Sequence, residues 1–234
     1  MYKKSFTVDI HDIDYMGICK ISALMRFFQS AAESQLAENG MSYDNLKEAK
    51  RAFILSRITI KICQDGSVGD NLVTYTYPTE SKGFTFQRCF GIDRCGEPIA
   101  RATSAWALVD TETRRLLRVD SFDLGLELLP PHDLEMGRFI LPKEMIEVGA
   151  YTVGYGAIDR NRHMNNTVYP DVYLTYLPPD EIRLTEITIS YRSEAVMGDI
   201  LKVFMSKGED SFYFKTVKQD GTVNTEAEIK YIKL

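Results

Sequence analysis

The chain carries an internal repeat, and this repeat constrains its fold more than any other feature. One set of matches lies 145 positions apart and pairs Phe6-Thr7-Val8 and Ile13-Asp14 with Tyr151-Thr152-Val153 and Ile158-Asp159. Another lies 129 positions apart and pairs Ile58-Thr59-Ile60 and Gly69-Asp70 with Ile187-Thr188-Ile189 and Gly198-Asp199. Similarity at constant offsets of this size predicts two tandem copies of one domain rather than a solenoid of short repeats.

The repeat also predicts where the chemistry lies. A third match pairs Phe84-x-Phe86 with Phe212-x-Phe214. From the repeat we predict two domains, at residues 1–125 and 126–234. Four polar positions of the second copy align with positions in the first copy. The aligned pairs are Asp159 with Asp14, Asn161 with Met16, His163 with Ile18, and Glu194 with Asp65. The second copy therefore has an amide and an imidazole where the first has apolar side chains. We expect the second copy to be catalytic and the first to be free for binding or support.

Composition excludes several classes of protein. A net charge of −5 without a basic stripe argues against a nucleic-acid binder, and no segment is apolar enough for a membrane span or a signal peptide. The four cysteines lie in the first hundred residues without metal-ligand spacing, so we predict no metal and no cofactor. Reduced cysteines are typical of a cytoplasmic protein. Because the second copy has no cysteine, a cysteine nucleophile is excluded there.

Each copy is predicted to contain a strand, a helix and then a run of strands. In the first copy, apolar spacing predicts a helix over residues 22–39, with Ser22 as its N-cap and Gly40 at its end. In the second copy the helix is predicted to be shorter and to start near Asn166 or Thr167, since Pro170 must lie in its first turn. A long helix wrapped by an antiparallel sheet is the hot-dog fold, so we predict an α+β tandem double hot-dog.

The densest group of polar residues runs from Asp159 to Asn166 in the second copy. It reads D-x-N-x-H-x-N-N, and an extended backbone would put its alternate side chains on one side. The free N–H groups of the following helix start are predicted to form an oxyanion site beside His163. Each of these residues alone would fit a turn, a cap or a local hydrogen bond, but together they predict a site. His11 and His132 have no such neighbours, and we interpret them as structural.

These residues resemble the catalytic signature of acyl-acyl-carrier-protein thioesterases, the type found in plastids and in many bacteria. The signature continues through Tyr169 and the segment Tyr191-Arg192-x-Glu194. Further similar segments lie in the first half, at Phe53–Arg57, Ala100–Trp106 and Thr113–Arg115. The family commonly has a cysteine after the glutamate, but Ala195 stands there in this chain, so a mechanism based on water is required. The plant members carry a long leader that this sequence does not show, and on this ground we expect a bacterial, cytosolic form.

The resemblance implies hydrolysis of fatty acyl thioesters on acyl carrier protein. Glu194 and His163 are the candidates for activating water, Asn161 for orienting it, and Asp159 for holding the imidazole or the amide. The acyl chain is expected in the first copy. The residues expected to bind substrate are Met25, Phe28, Ala32 and Asn166. For the first three, which lie on the predicted helix, plain packing in the protein core is the alternative. The residues expected to contact the acidic carrier protein are Arg160, Arg162 and Arg192.

Other functions remain open from the sequence. A hot-dog acyl-CoA thioesterase or a 3-hydroxyacyl dehydratase would use a similar histidine and acid, and a non-catalytic acyl-binding module would use neither. Acyl chain length and saturation are not encoded in any motif, and association into a homodimer is also left open.

Overall fold

The computed structural model describes residues 1–178 and 180–234, which form two compact units, Met1–Met136 and Gly137–Leu234. The division falls later than the predicted boundary at residue 125 because the intervening segment packs on the first unit. In that segment, Nε2 of His132 lies 3.0 Å from the carbonyl oxygen of Ala102, and the carbonyl of Leu134 accepts a 2.8 Å hydrogen bond from Thr103. None of the helices in these described ranges is long and apolar enough to cross a membrane.

The N-terminal unit pairs one long helix with an antiparallel sheet. Its helices are α1 (Ile21–Glu38) and α2 (Tyr43–Glu48), with 3-10 turns at Ile10–Asp12 and Val119–Ser121. Its strands are β1 (Tyr2–Thr7), β2 (Arg51–Ile62), β3 (Asn71–Pro78), β4 (Phe86–Arg94), β5 (Glu97–Asp110) and β6 (Leu116–Leu117). The sheet order is β1-β3-β4-β5-β2, and the short β6 pairs with β5.

Helix α1 matches the prediction except at its start. It begins at Ile21 after Lys20, so Ser22 lies inside the helix and is not its N-cap. Ser22 is buried because it falls on the same face as the apolar residues. The end is as predicted, since Gly40 adopts a φ of 75° and the N–H of Met41 returns to the carbonyl of Leu36 at 2.8 Å. A left-handed glycine just past the last turn is the usual way to satisfy the final carbonyl groups.

The C-terminal unit repeats the same strand order around a much shorter helix. Its strands are β7 (Ile146–Thr152), β8 (Ile182–Tyr191), β9 (Ile200–Lys207), β10 (Ser211–Val217) and β11 (Val223–Lys233), in the order β8-β11-β10-β9-β7. The 3-10 turns Tyr155–Ala157 and Asn166–Val168 precede helix α3 (Tyr169–Leu174). The tandem double hot-dog is confirmed, but only the first copy has a long helix, because Pro170 and the polar loop occupy the start of the second.

Backbone hydrogen bonds repeat between the two units and confirm the two main sequence matches. The N–H of Cys19 donates to Gly66 at 2.8 Å, and the equivalent N–H of Met164 donates to Ala195 at 2.8 Å. The third match is wrong. In the strand ladders Phe90 pairs with Thr76, and the equivalent residue of β9, Met205, pairs with Phe214. Phe214 is therefore the counterpart of Phe90 and not of Phe86, because the connection before β10 is shorter than the one before β4.

Candidate active site

A tight loop, not an extended segment, carries the polar residues between Ile158 and Met164. These two residues form an isolated β-bridge, and the Asp159 N–H donates to the carbonyl of His163 at 2.8 Å. Inside the loop, Oδ1 of Asp159 accepts hydrogen bonds from the N–H groups of Asn161 at 2.8 Å and His163 at 3.2 Å. The extended backbone that would place alternate side chains on one side is not formed here, because the carboxylate folds the chain back by accepting from two downstream amides.

The N-terminal unit builds the same loop without the chemistry. Oδ1 of Asp14 accepts from the N–H groups of Met16 at 2.9 Å and Ile18 at 3.0 Å. The left-handed position of this loop is Gly17, with a φ of 79°, and its counterpart Arg162 has a φ of 65°. Since the same carboxylate contacts form where no imidazole is present, they account for loop geometry in both units.

The loop brings His163 against Glu194. Nε2 of His163 lies 3.2 Å from Oε2 of Glu194, and their side chains are 32% and 54% exposed, so the pair is open to water. Two backbone contacts fix this approach, a β-bridge between His163 and Val196 and the hydrogen bond from Met164 to Ala195. Because a carboxylate only accepts hydrogen bonds, a neutral His163 that donates to Glu194 carries its proton on Nε2. Nδ1 is then the basic nitrogen.

Asn161 extends the polar group on the exposed side of the loop. Its Nδ2 lies 3.4 Å from Oδ2 of Asp159, a long hydrogen bond that turns the amide nitrogen toward the carboxylate. Within the described residues the amide oxygen has no hydrogen-bond donor of its own, so it can accept from another group. Asp159 therefore contacts the backbone of His163 and the amide of Asn161, but no hydrogen bond joins it to the imidazole ring among the described residues.

Two residues that sequence reasoning did not select support the segment around Glu194. Nζ of Lys218 donates to the backbone carbonyl of Glu194 at 3.2 Å and lies 3.4 Å from Asp199, which in turn accepts from the N–H of Val196 at 3.0 Å. The same arrangement is present in the N-terminal unit, where Nη1 of Arg94 lies 2.6 Å from Oδ2 of Asp70. The repeated Gly-Asp dipeptide is the sequence signal that could have identified this support. Its presence in both units indicates a structural role.

The start of the second helix is largely occupied by its own cap. Oδ1 of Asn165 accepts from the N–H of Thr167 at 2.9 Å, and the carbonyl of Asn165 accepts from the N–H of Val168 at 3.0 Å. These two N–H groups are therefore not available to an oxyanion in this arrangement. The carbonyl of Asn166 accepts a 3.0 Å hydrogen bond from the hydroxyl of Tyr191, and this bond fixes the turn over the end of β8.

The remaining predicted site residues differ in their surroundings. Met25, Phe28 and Ala32 are buried on α1 in the N-terminal unit, and Phe28 lies 5.1 Å from Phe90 between ring centroids. The carrier-binding candidates Arg160, Arg162 and Arg192 are exposed in the C-terminal unit. Arg192 is paired with Glu226 at 2.6 Å, so its charge is partly neutralised. Within the described residues, no group of three or more histidine, cysteine or acidic side chains has the arrangement of a metal site.

Models of two protein-family domains match this chain. The model of the acyl-ACP thioesterase N-terminal domain matches residues 1–122, and that of the acyl-ACP thioesterase C-terminal domain matches residues 141–233. The chain belongs to the acyl-ACP thioesterase family. The two family matches correspond to the two hot-dog units and together include every residue of the polar loop.

Curated relatives in this family are distant. The chain is 24% identical over 222 residues to the chloroplastic acyl-[acyl-carrier-protein] hydrolase FATB3 of Cuphea viscosissima, covering 86% of this chain and 53% of that protein. It is 25% identical over 228 residues to the chloroplastic oleoyl-acyl carrier protein thioesterase 2 of Arabidopsis thaliana, covering 86% of this chain and 61% of that protein. The chain thus spans about half the length of the FATB3 relative.

Solved structures of acyl-ACP thioesterases share the fold over almost the whole chain. An acyl-ACP thioesterase from Bacteroides thetaiotaomicron superposes with a TM-score of 0.90 at 21% identity, covering 98% of this chain and 97% of that chain. The 12:0-ACP thioesterase from Umbellularia californica superposes with a TM-score of 0.84 at 18% identity, covering 100% of this chain and 97% of that chain. At these identities the superpositions establish the double hot-dog fold.

Proposed function

We propose that this protein hydrolyses fatty acyl thioesters of acyl carrier protein and releases the free fatty acid. The observation that carries the proposal is the 3.2 Å approach of His163 to Glu194 in the one unit that retains both groups. The equivalent positions of the sister unit are Ile18 and Asp65, which cannot form this pair. Family membership supports the same reaction, since the relatives are named as acyl-ACP hydrolases and thioesterases.

In the proposed reaction, water attacks the thioester carbonyl carbon while a base takes its proton. Nδ1 of His163 is the base that we favour, because Nε2 is directed to Glu194 and the carboxylate stabilises the imidazolium that forms. The C–S bond then breaks, and the carrier thiolate takes up the proton as the thiol. Asn161 would orient the water or the carbonyl through its amide oxygen. Asp159 would act through the loop, as a positioning residue, by fixing the backbone of His163 and the amide of Asn161.

The proposal places the acyl chain in the N-terminal unit. Met25, Phe28 and Ala32 lie on one buried face of α1, which provides an apolar row of the kind that an alkyl chain requires. Exposed Arg160 and Arg162 would attract the acidic carrier protein, with Arg192 contributing less because of its pairing with Glu226. A cytoplasmic location also belongs to this proposal, and the four free cysteines of the described chain fit a reducing compartment.

The deciding experiment measures free fatty acid and free thiol released from a panel of acyl-ACP and matching acyl-CoA thioesters. Wild type should release both products from acyl-ACP, and His163→Ala should reduce turnover by about 10²–10⁴-fold. The matched control is His11→Ala, which removes an exposed histidine of the N-terminal unit and should leave turnover unchanged. Normal turnover in a folded His163→Ala variant would contradict the assignment.

The same panel separates the alternatives. Higher kcat/KM on acyl-CoA would identify an acyl-CoA thioesterase. Water addition to a 2-enoyl thioester, without thiol release, would identify a dehydratase. Tight retention of the acyl group with neither product would identify a binding module.

A further inference from the structure

A buried asparagine, Asn224, holds the segment that leads into Glu194 in the C-terminal unit. Asn224 is fully buried. Its backbone carbonyl accepts hydrogen bonds from the N–H groups of Arg192 at 2.8 Å and Ser193 at 3.1 Å. Its side-chain Nδ2 donates to the carbonyl of Ser193 at 2.5 Å. The residue before Glu194 is therefore held by both the backbone and the side-chain amide of Asn224.

The same amide contacts the helix that follows the polar loop. Burial raises the pKa of Tyr169, the first residue of α3, to about 12, and a hydrogen bond with the Asn224 side chain opposes this rise. The ring of Tyr169 packs edge-on against Tyr191 at the end of β8, with 5.5 Å between the centroids. Since His163 precedes α3 and Glu194 follows β8, Asn224 contacts both chain segments that supply the pair.

A row of buried hydroxyl groups fixes the orientation of the Asn224 amide. Oγ1 of Thr216 donates to Oδ1 of Asn224 at 3.1 Å, so the amide nitrogen is the atom directed to Ser193. Because Thr216 has one hydroxyl proton, its 2.5 Å contact with Thr225 requires Thr225 to donate. The hydroxyl of Tyr173 must then donate to Thr225, also at 2.5 Å. These hydrogen bonds run in one direction and end at the carbonyl of Ser193.

The N-terminal unit repeats the backbone of this arrangement without its side chains. The carbonyl of Ile99 accepts from the N–H groups of Cys63 at 2.8 Å and Gln64 at 3.2 Å, so Ile99 is the counterpart of Asn224. Both residues lie where the register of the strand ladder shifts, and the side chain of Ile99 has no donor for the carbonyl of Gln64. Strand ladders and ring contacts identify the other counterparts, which are also apolar. They are Ile92 for Thr216, Ala100 for Thr225 and Phe28 for Tyr173.

Other contacts of the segment are shared by the two units. Nζ of Lys218 donates to the carbonyl of Glu194 at 3.2 Å, and Nη1 of Arg94 donates to the carbonyl of the equivalent Asp65 at 3.3 Å. These cation contacts and the backbone contacts build the segment in both units. The amide of Asn224 is an additional contact in the unit that has the pair of His163 and Glu194.

Polarity alone does not argue for a function, because the N-terminal unit has a buried polar group of its own. There, Nη1 of Arg88 donates to Oε1 of Gln35 at 2.6 Å and to Oγ1 of Thr76 at 3.0 Å, which links the sheet to α1. The row of hydroxyl groups in the C-terminal unit differs in where it ends, which is at the carbonyl of Ser193 beside Glu194. Its position, not its polarity, points to a role in the site.

We propose that Asn224 is a positioning residue that keeps Glu194 at hydrogen-bonding distance from His163. This inference rests on the proposed function, because it assigns Glu194 a part in the reaction. The side chain of Glu194 is 54% exposed, so packing gives it little support. By holding the carbonyl of Ser193, the amide fixes the peptide plane between Ser193 and Glu194 and restricts the directions that the carboxylate can take. Such control affects the rate strongly, since a displacement of about 1 Å can cost about 10²-fold.

The kinetic test replaces Asn224 by leucine, which has nearly the same shape but no amide. We expect kcat on one acyl-ACP substrate to fall by about 10–10²-fold with little change in KM, because the contact supports the reacting geometry and not substrate binding. A second variant, Thr216→Val, keeps Asn224 but removes the hydroxyl that orients it, and it should lower kcat by a smaller factor. Its matched control is Thr76→Val, at an equally buried sheet threonine of the N-terminal unit, which should keep the wild-type kcat. Unchanged kcat in folded Asn224→Leu, or in Thr216→Val if the leucine prevents folding, would overturn the assignment.

A double-mutant cycle separates positioning from a general loss of structure. If Asn224 acts through Glu194, adding Asn224→Leu to Glu194→Ala should lower kcat no further, because the carboxylate that it positions is already gone. A general loosening of the unit would instead lower kcat by the same factor in both backgrounds, and that result would overturn the proposal.

Backbone NMR relaxation tests the inference without using activity. We expect the order parameters of the N–H groups in residues 193–195 to be lower in Asn224→Leu than in wild type, and to be unchanged in Thr76→Val. Wild-type order parameters in Asn224→Leu would overturn the positioning role even if the protein hydrolyses thioesters. Lower order parameters in a protein that releases no fatty acid would contradict the proposed function and leave the support of the Glu194 segment in place.

Discussion

Oε2 of Glu194 lies 3.2 Å from Nε2 of His163. The equivalent positions of the N-terminal unit have neither the glutamate nor the histidine. The relationship is chemically specific because the carboxylate determines which imidazole nitrogen carries the proton. It also distinguishes Glu194 from Asp159, whose hydrogen bonds in the described chain go to backbone N–H groups and to Asn161. The two acids of the motif therefore have different geometries, and substitutions should separate their contributions.

Replacing Glu194 by glutamine should lower kcat far more than it changes KM. The amide has nearly the same shape, but it no longer fixes the proton on Nε2 or stabilises the imidazolium, so we expect a loss of about 10²–10³-fold in kcat. Steady-state kinetics on one acyl-ACP substrate measures it. The control is Asp65→Asn at the equivalent position of the N-terminal unit, which should leave kcat near the wild-type value. A Glu194→Gln variant with unchanged kcat would exclude the carboxylate from the reaction.

Replacing either of the two loop aspartates by alanine should lower the stability of the protein by a similar amount, but only one of the two replacements should lower its activity. Asp14 and Asp159 each accept two backbone hydrogen bonds in matching loops, so each alanine variant should lose about 1–2 kcal/mol in the free energy of unfolding. Denaturant titration checks this value. Only Asp159→Ala should also reduce kcat, since only its loop carries His163. Asp159→Asn keeps the acceptor oxygen and should retain most activity, whereas an asparagine variant as inactive as the alanine variant would show that the charge itself takes part.

The sequence predicted the duplication and the composition of the site because both depend on residue identity at constant spacing. It did not predict the loop conformation, since Asp159 can either lie in an extended strand or accept hydrogen bonds from Asn161 and His163. Only the bridge between Ile158 and Met164 distinguishes the two. Strand alternation alone also could not predict that Arg88 is buried. A charged residue in an alternating strand is normally assigned to the solvent side, but Arg88 lies on the inner face because Gln35 of α1 accepts its hydrogen bond.

Replacing Gly91 by alanine should destabilise the N-terminal unit. A Cβ at this position in β4 would overlap the ring and hydroxyl of Tyr75 on the neighbouring strand, so one of them must move. We expect a loss of about 1–3 kcal/mol in the free energy of unfolding, the usual cost of overpacking. The matched control is Gly156→Ala, because a Cβ there meets no atom within 4 Å. Equal thermal midpoints for the two variants would show that Tyr75 can turn away without cost.

Asp70→Asn should destabilise the protein at neutral pH but not in strong acid. Burial raises the pKa of Asp70, but the N–H of Ser67 and the guanidinium of Arg94 lower it more, so the net folded-state pKa is below 3.8. The ionised carboxylate therefore stabilises the fold at pH values above about 4, and this contribution disappears as the pH falls through the lowered pKa. We expect a difference of about 0.5–1 kcal/mol between wild type and Asp70→Asn at pH 7, as for partly exposed ion pairs. Unfolding titrations at several pH values should show the two proteins converging below pH 4, and a constant difference down to the lowest pH would mean that the ionised form of Asp70 contributes nothing.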